Sequence, residues 1–131
     1  MIRAALAYVA ALVVMGALDF VWLSTTVPAL YRPKLGPLLA EQPRMGIAVL
    51  FYLLYPLGVV LLAVQPAAGQ WRPALWLGAV LGLIAYGTYD LTNHATLRGW
   101  PWLITVVDMA WGVVLTAVVA AVATRLTGGR G

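Results

Sequence analysis

The sequence predicts an all-α protein, a four-transmembrane-helix bundle with a short interfacial segment between helices one and two. Two observations carry this prediction. The 131 residues are 63% hydrophobic and only 9% charged, whereas soluble domains carry about 25% charged residues. Four apolar stretches are also long enough to cross a bilayer, which takes about 20 helical residues. A soluble helical bundle is the alternative, and the low charge content disfavours it.

The predicted spans cover about residues 4–23, 46–64, 74–95 and 102–124 of a single membrane domain, 1–131. Each should be a helix, because hydrocarbon offers no partner to an unpaired backbone group. The first stretch follows Arg3 and resembles a signal peptide. Its length, the lack of a convincing small-residue cleavage site and its continuation through Trp22 favour a retained span.

The connection over residues 25–45 is the longest, and it contains Pro28, Pro33, Pro37 and Pro43. Because proline lacks a backbone donor and clashes with the preceding turn, we expect these residues to break any continuous helix. The connection is nevertheless rich in leucine, which predicts a short segment on the membrane surface. The other two connections, about residues 65–73 and 98–101, are short turns.

The formal net charge of +4 does not indicate a nucleic-acid partner. The basic residues fall one to three at a time at the edges of the apolar stretches, as in proteins that contact lipid head groups, and they form no stripe. Each side of the membrane would carry four basic residues, so the positive-inside rule does not decide the orientation. Four spans place both termini on one side, and we expect that side to be the cytoplasm. The chain has no cysteine, which excludes disulfides and thiolate metal sites.

Three of the four acidic residues, Asp19, Asp90 and Asp108, lie inside apolar spans. A carboxylate there costs about 2.5–3.5 kcal/mol on insertion scales. Asp19 and Asp90 lie near the C-terminal ends of two helices that run the same way, and Asp108 lies near the start of a helix that runs back. At 1.5 Å per residue, each lies roughly 8–14 Å below the same membrane face. The three acids therefore predict one cluster.

Helical spacing gives these acids polar and aromatic neighbours. The candidate ligand-binding residues are Asp19, Asp90, Asn93 and Asp108, with Tyr86, Tyr89, Trp22 and Trp111 as walls. Tyr52 of the second span lies at a depth that allows contact with them. The alternative is that the acids only hold helices together through hydrogen bonds, which Ser or Asn would do with less desolvation.

No residue is assigned a catalytic role, and no cofactor is indicated. His94, the only histidine, lies near an interface and is a candidate metal ligand, although such a residue is more often a polar anchor. The Gly78-x-x-x-Gly82 pair predicts close helix packing. Gly112 and Gly16 are interpreted in the same way.

The most distinctive string runs from Tyr86-Gly-Thr-Tyr89-Asp90-Leu-Thr-Asn93 to Val107-Asp108-Met-Ala-Trp111-Gly112. With Asp19-Phe-Val-Trp22, it resembles a bacterial family of membrane proteins, number 2177 among the domains of unknown function. The resemblance covers the whole chain. It implies a four-helix protein of the bacterial inner membrane, and it supplies no activity, substrate or cofactor to carry over.

Three functions fit this sequence. The first is a protein of the lipid bilayer that binds or moves a proton, a cation or a small amphipathic ligand at the acids. The second is a small lipid- or isoprenoid-modifying enzyme that uses an Asp as general acid or base. It predicts a pocket open sideways to lipid. The third is an accessory or assembly subunit of a larger membrane complex, or a homo-oligomer.

Overall fold

The computed structural model describes residues 2–128 and confirms the predicted all-α bundle. Its four long helices are α1 (Ile2–Thr26), α2 (Met45–Val59, continued by a π-helical turn, Val60–Val64), α3 (Trp71–Thr96) and α4 (Trp102–Thr127). Each encloses one of the predicted spans and is long and apolar enough to cross a membrane. Large apolar side chains cover the outer faces of the bundle, which is typical of helices that contact lipid.

The first span does not end before the prolines, so the expected break at Pro28 and Pro33 is wrong. Helical structure continues in three short pieces: a π turn (Val27–Tyr31), an α turn (Arg32–Leu35) and a 3₁₀ turn (Gly36–Leu38). Pro28 lies at the start of the π turn, in which the backbone N–H of Arg32 bonds to the carbonyl of Val27. The wider turn accommodates a residue that lacks a backbone donor, so the helix continues through it.

The extended helix cannot remain straight within a bilayer. It has 37 residues, which would extend about 55 Å, whereas the hydrocarbon core is about 30 Å thick. Just before the π turn, Ser24, Thr25 and Thr26 each donate a side-chain hydrogen bond of 2.6–2.9 Å to the carbonyl four residues back. Such back-bonding bends helices. The hydroxyls and the π turn together allow a change of direction.

Residues 27–38, here called the proline segment, pack against the start of α4. Tyr31 and Leu35 are buried together with Trp100 and Ile104. Trp22 donates a hydrogen bond to Tyr31, nine residues later. On a regular α-helix these two residues would point in opposite directions, so the π turn has changed the direction in which Tyr31 points. The proline segment therefore lies across the end of the bundle at which α3 ends and α4 begins.

The closest helix contact joins α3 to α4 through small residues. A Cβ atom added to Gly78 would lie 2.9 Å from the Cβ of Ala120, and one added to Gly82 would overlap the carbonyl oxygen of Gly112. The two backbones can approach this closely only because these side chains are absent. Gly16 differs, because an added Cβ there would meet nothing within 4 Å. The expected close packing at Gly16 is therefore wrong.

Helix α2 diverges from α3. Its contacts with α3 lie mainly in Val60–Val64, next to the short turn that joins the two helices. It is held to α1 by a hydrogen bond of 2.8 Å from the Tyr8 hydroxyl to the carbonyl of Leu53. Towards its N-terminus, α2 therefore belongs with α1 and leaves space beside α3.

Replacing Gly82 with alanine should destabilise the bundle, because the new methyl group meets backbone that cannot move aside easily. We expect a loss of about 1–3 kcal/mol in the free energy of unfolding. The matched control is Gly16→Ala, in which the methyl group meets open space and alanine favours the helix by up to about 1 kcal/mol. Unfolding in mixed detergent micelles, followed by circular dichroism, measures both. Equal effects of the two substitutions would contradict the assigned packing.

Candidate functional site

A cavity of about 350 Å³ lies near the bundle end that the proline segment covers, and all four helices line it. Six predicted site residues line it: Asp19, Trp22, Tyr86, Tyr89, Asp108 and Trp111. Five further lining residues were not among the predicted site residues: Leu23, Phe51, Tyr52, Tyr55 and Ala85. Asp90 and Asn93, which were predicted to belong to the site, are outside this lining.

Asp19 is buried because it continues the inward face of α1. Ala7, Ala11, Met15 and Asp19 are buried at four-residue intervals, so they form one stripe towards the bundle. One carboxylate oxygen accepts a hydrogen bond of 3.0 Å from the Trp111 indole N–H. The other accepts one from the hydroxyl of Tyr52. Asp19 thus links α1 to both α2 and α4 through neutral donors.

A tyrosine of the proline segment forms a hydrogen bond with Asp108. The hydroxyl of Tyr31 donates a hydrogen bond of 2.7 Å to Asp108 Oδ1. The same hydroxyl oxygen accepts one of 3.3 Å from the indole N–H of Trp22. A relay of neutral donors therefore runs from Trp22 through Tyr31 to the carboxylate. Sequence reasoning missed Tyr31, because a tyrosine among prolines carries no helical spacing that would direct it to α4.

The two tryptophans that follow Asp19 and Asp108 by one turn stack on each other. The rings of Trp22 and Trp111 lie parallel within 2°, with their centroids 4.4 Å apart. Each indole N–H reaches a different acceptor, one on Tyr31 and one on Asp19. The stack holds α1 against α4 and forms one wall of the cavity.

Asp90 is fully buried, with an exposed fraction of 0%. It continues the stripe of Ala74, Gly78 and Gly82 at multiples of four residues, and it therefore faces α4. Neither of its oxygens has a hydrogen-bond donor among the described residues. Its polar neighbour is the carboxyl group of Asp108. A buried carboxyl group without a donor is costly, so hydrogen bonding among the described side chains does not explain why this acid lies here.

The cavity has a closed floor and an open side. At the floor, the hydroxyls of Tyr55 and Thr116 lie 2.8 Å apart, and the ring of Tyr55 meets that of Tyr86 edge-on at 6.1 Å. Above them, Phe51 of α2 and Tyr89 of α3 are 42% and 55% exposed. The cavity therefore opens sideways between α2 and α3, where these helices diverge.

Asn93 and His94 lie beyond the cavity. Asn93 is half-buried, and His94 is exposed with its Nδ1 3.1 Å from the hydroxyl of Thr105. That hydroxyl also accepts a hydrogen bond of 3.0 Å from Trp100. Within residues 2–128, no group of three or more His, Asp or Glu side chains gathers as a metal site. A metal role for His94 stays a prediction that rests on residue type alone.

A second cavity, of about 420 Å³, lies at the opposite end of the bundle, beside Arg3, Gln65 and Thr124. As far as the structure describes its lining, no carboxylate and no aromatic ring is present there. The three intramembrane acids thus lie at the end of the bundle that the proline segment covers, away from this second cavity.

A family model described as "Predicted membrane protein (DUF2177)" matches residues 4–125. The chain belongs to this family. The match confirms the resemblance found in the sequence and places the chain among integral membrane proteins. No curated protein and no solved structure matches it.

Replacing Tyr31 with phenylalanine should loosen the proline segment. The change removes the donor to Asp108 and leaves a partly buried carboxylate oxygen unsatisfied, which costs up to about 1–3 kcal/mol. We expect amide hydrogen exchange in residues 27–38 to become about tenfold faster. Tyr8→Phe is the control, because it also removes one interhelical hydroxyl bond but lies away from the segment. Unchanged exchange in Tyr31→Phe would show that this bond does not hold the segment.

Proposed function

We propose that this integral membrane protein binds a small amphipathic ligand in the aromatic cavity. The polar end of the ligand lies at Asp19 and Asp108, and its apolar part extends between α2 and α3 towards the lipid. One observation carries the proposal: the cavity connects two carboxylates to a sideways opening in an apolar bundle. A site that served only to hold helices together would have no need of this space.

The depth of the cavity supports access from lipid. Asp19, Asp90 and Asp108 lie six or seven residues from the nearest ends of their helices, which is about 9–11 Å along the helix axis. At this depth a sideways opening meets hydrocarbon close to the head groups. A ligand with one polar and one apolar end matches both surroundings at once.

We place the protein in the bacterial inner membrane with both termini in the cytoplasm. Four spans support placing the termini on the same side. In this orientation α1 ends on the outer side, so the cavity takes its ligand from the outer leaflet of the inner membrane.

A lipid- or isoprenoid-modifying enzyme is the second candidate function. The Asp90–Asp108 pair favours it, because two neighbouring carboxyl groups can serve as general acid and general base. The test is mass spectrometry of lipids incubated with purified protein. Formation of a new lipid by the wild type and its loss in Asp90→Asn would support the enzyme. A lipid profile that stays unchanged would leave ligand binding as the function.

Replacing Ala85 with tryptophan should abolish ligand binding. Ala85 lines the cavity, and an indole there would occupy much of its volume. The probes are three photoactivatable octadecyl amphiphiles with a cationic, a neutral sugar and an anionic head. We expect at least one to label the wild type on α2 or α3 beside the opening, with labelling reduced at least about tenfold in the variant.

Ala95→Trp is the matched control, because Ala95 lies on α3 but is exposed near its end. This variant should be labelled like the wild type. Peptide mapping by mass spectrometry reads the labelled residues. If Ala85→Trp leaves labelling by all three probes unchanged, the proposal is contradicted, since contact with the lipid-facing surfaces alone would then explain the labelling.

A further inference from the structure

The cavity offers negative charge without any positive charge of its own. Among the described residues, its lining contains two carboxylates and no Lys, Arg or His. The hydrogen bonds to Asp19 and Asp108 come from hydroxyl and indole groups, which are neutral. A positively charged ligand would therefore be attracted, and a phosphate or carboxylate head group would be repelled.

A metal ion does not match this site. Hard cations need about six oxygen ligands that converge on one point. Here both oxygens of Asp19 and one of Asp108 already accept hydrogen bonds, and most of the remaining wall is aromatic. The cavity volume of about 350 Å³ also far exceeds that of a bare ion.

Aromatic rings make up most of the wall. Seven of the eleven lining residues are Phe, Tyr or Trp, from all four helices. Phe51 stacks on Tyr55 with ring centroids 5.2 Å apart, and Trp22 stacks on Trp111. Ring faces attract cations, with about 0.5–2 kcal/mol per contact, most strongly where water is excluded. Such walls suit a cation that lacks directional hydrogen bonds.

We propose that the polar end of the ligand is an organic ammonium group, held between Asp108 and Asp19 by charge and by the surrounding rings. The inference rests on the proposed function and specifies its ligand class. A tertiary or quaternary ammonium satisfies the carboxylates without displacing their hydroxyl and indole donors. A sugar head, in contrast, needs many directional partners, and most polar groups of the cavity are already paired.

The test compares octyltrimethylammonium, octyl sulfate and octyl glucoside, which share one chain length and differ in head group. Each is titrated into the full-length protein in a maltoside detergent, and tryptophan fluorescence and calorimetry report binding. We expect saturable binding of the ammonium compound with an affinity at least about tenfold higher than that of the other two, equivalent to about 1.4 kcal/mol.

Two variants separate charge from ring contacts. Asp108→Asn should weaken binding of the ammonium compound at least about tenfold and leave octyl glucoside unchanged. Phe51→Leu keeps an apolar side chain at the opening but removes a ring, and it should weaken ammonium binding about threefold. Phe51 is partly exposed and takes no part in the carboxylate hydrogen bonds, so this variant remains informative if Asp108→Asn fails to fold. Gln65→Ala, in the cavity at the opposite end, should change nothing.

The outcomes distinguish this inference from the proposed function. If octyl sulfate or octyl glucoside binds as tightly as the ammonium compound, and Ala85→Trp abolishes that binding, the ligand class is wrong while the cavity remains a binding site. If Ala85→Trp has no effect on any of the three, both proposals fail. Ammonium binding that survives Asp108→Asn and Phe51→Leu equally well would also overturn the inference.

Discussion

The close approach of α3 and α4 is the constraint on which the site depends. Gly78 and Gly82 allow the two backbones to come together where any larger side chain would overlap the facing helix. Asp90 lies on the continuation of the same stripe, so the packing that joins the helices also turns its carboxyl group towards α4. The nearness of Asp90 to Asp108 is therefore a consequence of glycine packing two turns away. If this contact loosened, water would reach the carboxyl group of Asp90, which would no longer be fully buried.

The divergence of α2 supplies the other half of the site. Helix α2 meets α3 near their shared turn and is held to α1 farther along. This arrangement leaves an opening at the level of the acids, and the paired rings of Tyr55 and Tyr86 close it below. The cavity thus results from one tight and one loose helix pair in the same bundle. A uniformly packed four-helix bundle would bury the acids without leaving space for a ligand.

The sequence predicted the helices and most of the cavity lining because both follow from local rules. Apolar length gives the spans, and the three-residue spacing places Trp22 on the face of Asp19, and Trp111 on the face of Asp108. Tyr31 and the course of the proline segment could not be found in this way. Their positions depend on a π turn and on tertiary contacts with α4, which no periodicity encodes. The hydroxyls of residues 24–26 were a usable signal for the bend, because back-bonding residues just before a proline favour a change of direction.

The contrast between Asp19 and Asp90 bears on whether the acids only hold the helices together. Asp19 fits that role, since its two oxygens accept hydrogen bonds from α2 and α4. Asp90 does not, because no donor among the described residues reaches it and its neighbour is another acid. Asparagine there would pack in the same space, offer a donor to Asp108 and avoid the charge. Burying a carboxyl group beside a second one costs stability unless the pair exchanges a proton or meets a positive charge. Asp90 therefore does not fit the role of a residue that only holds helices together through hydrogen bonds.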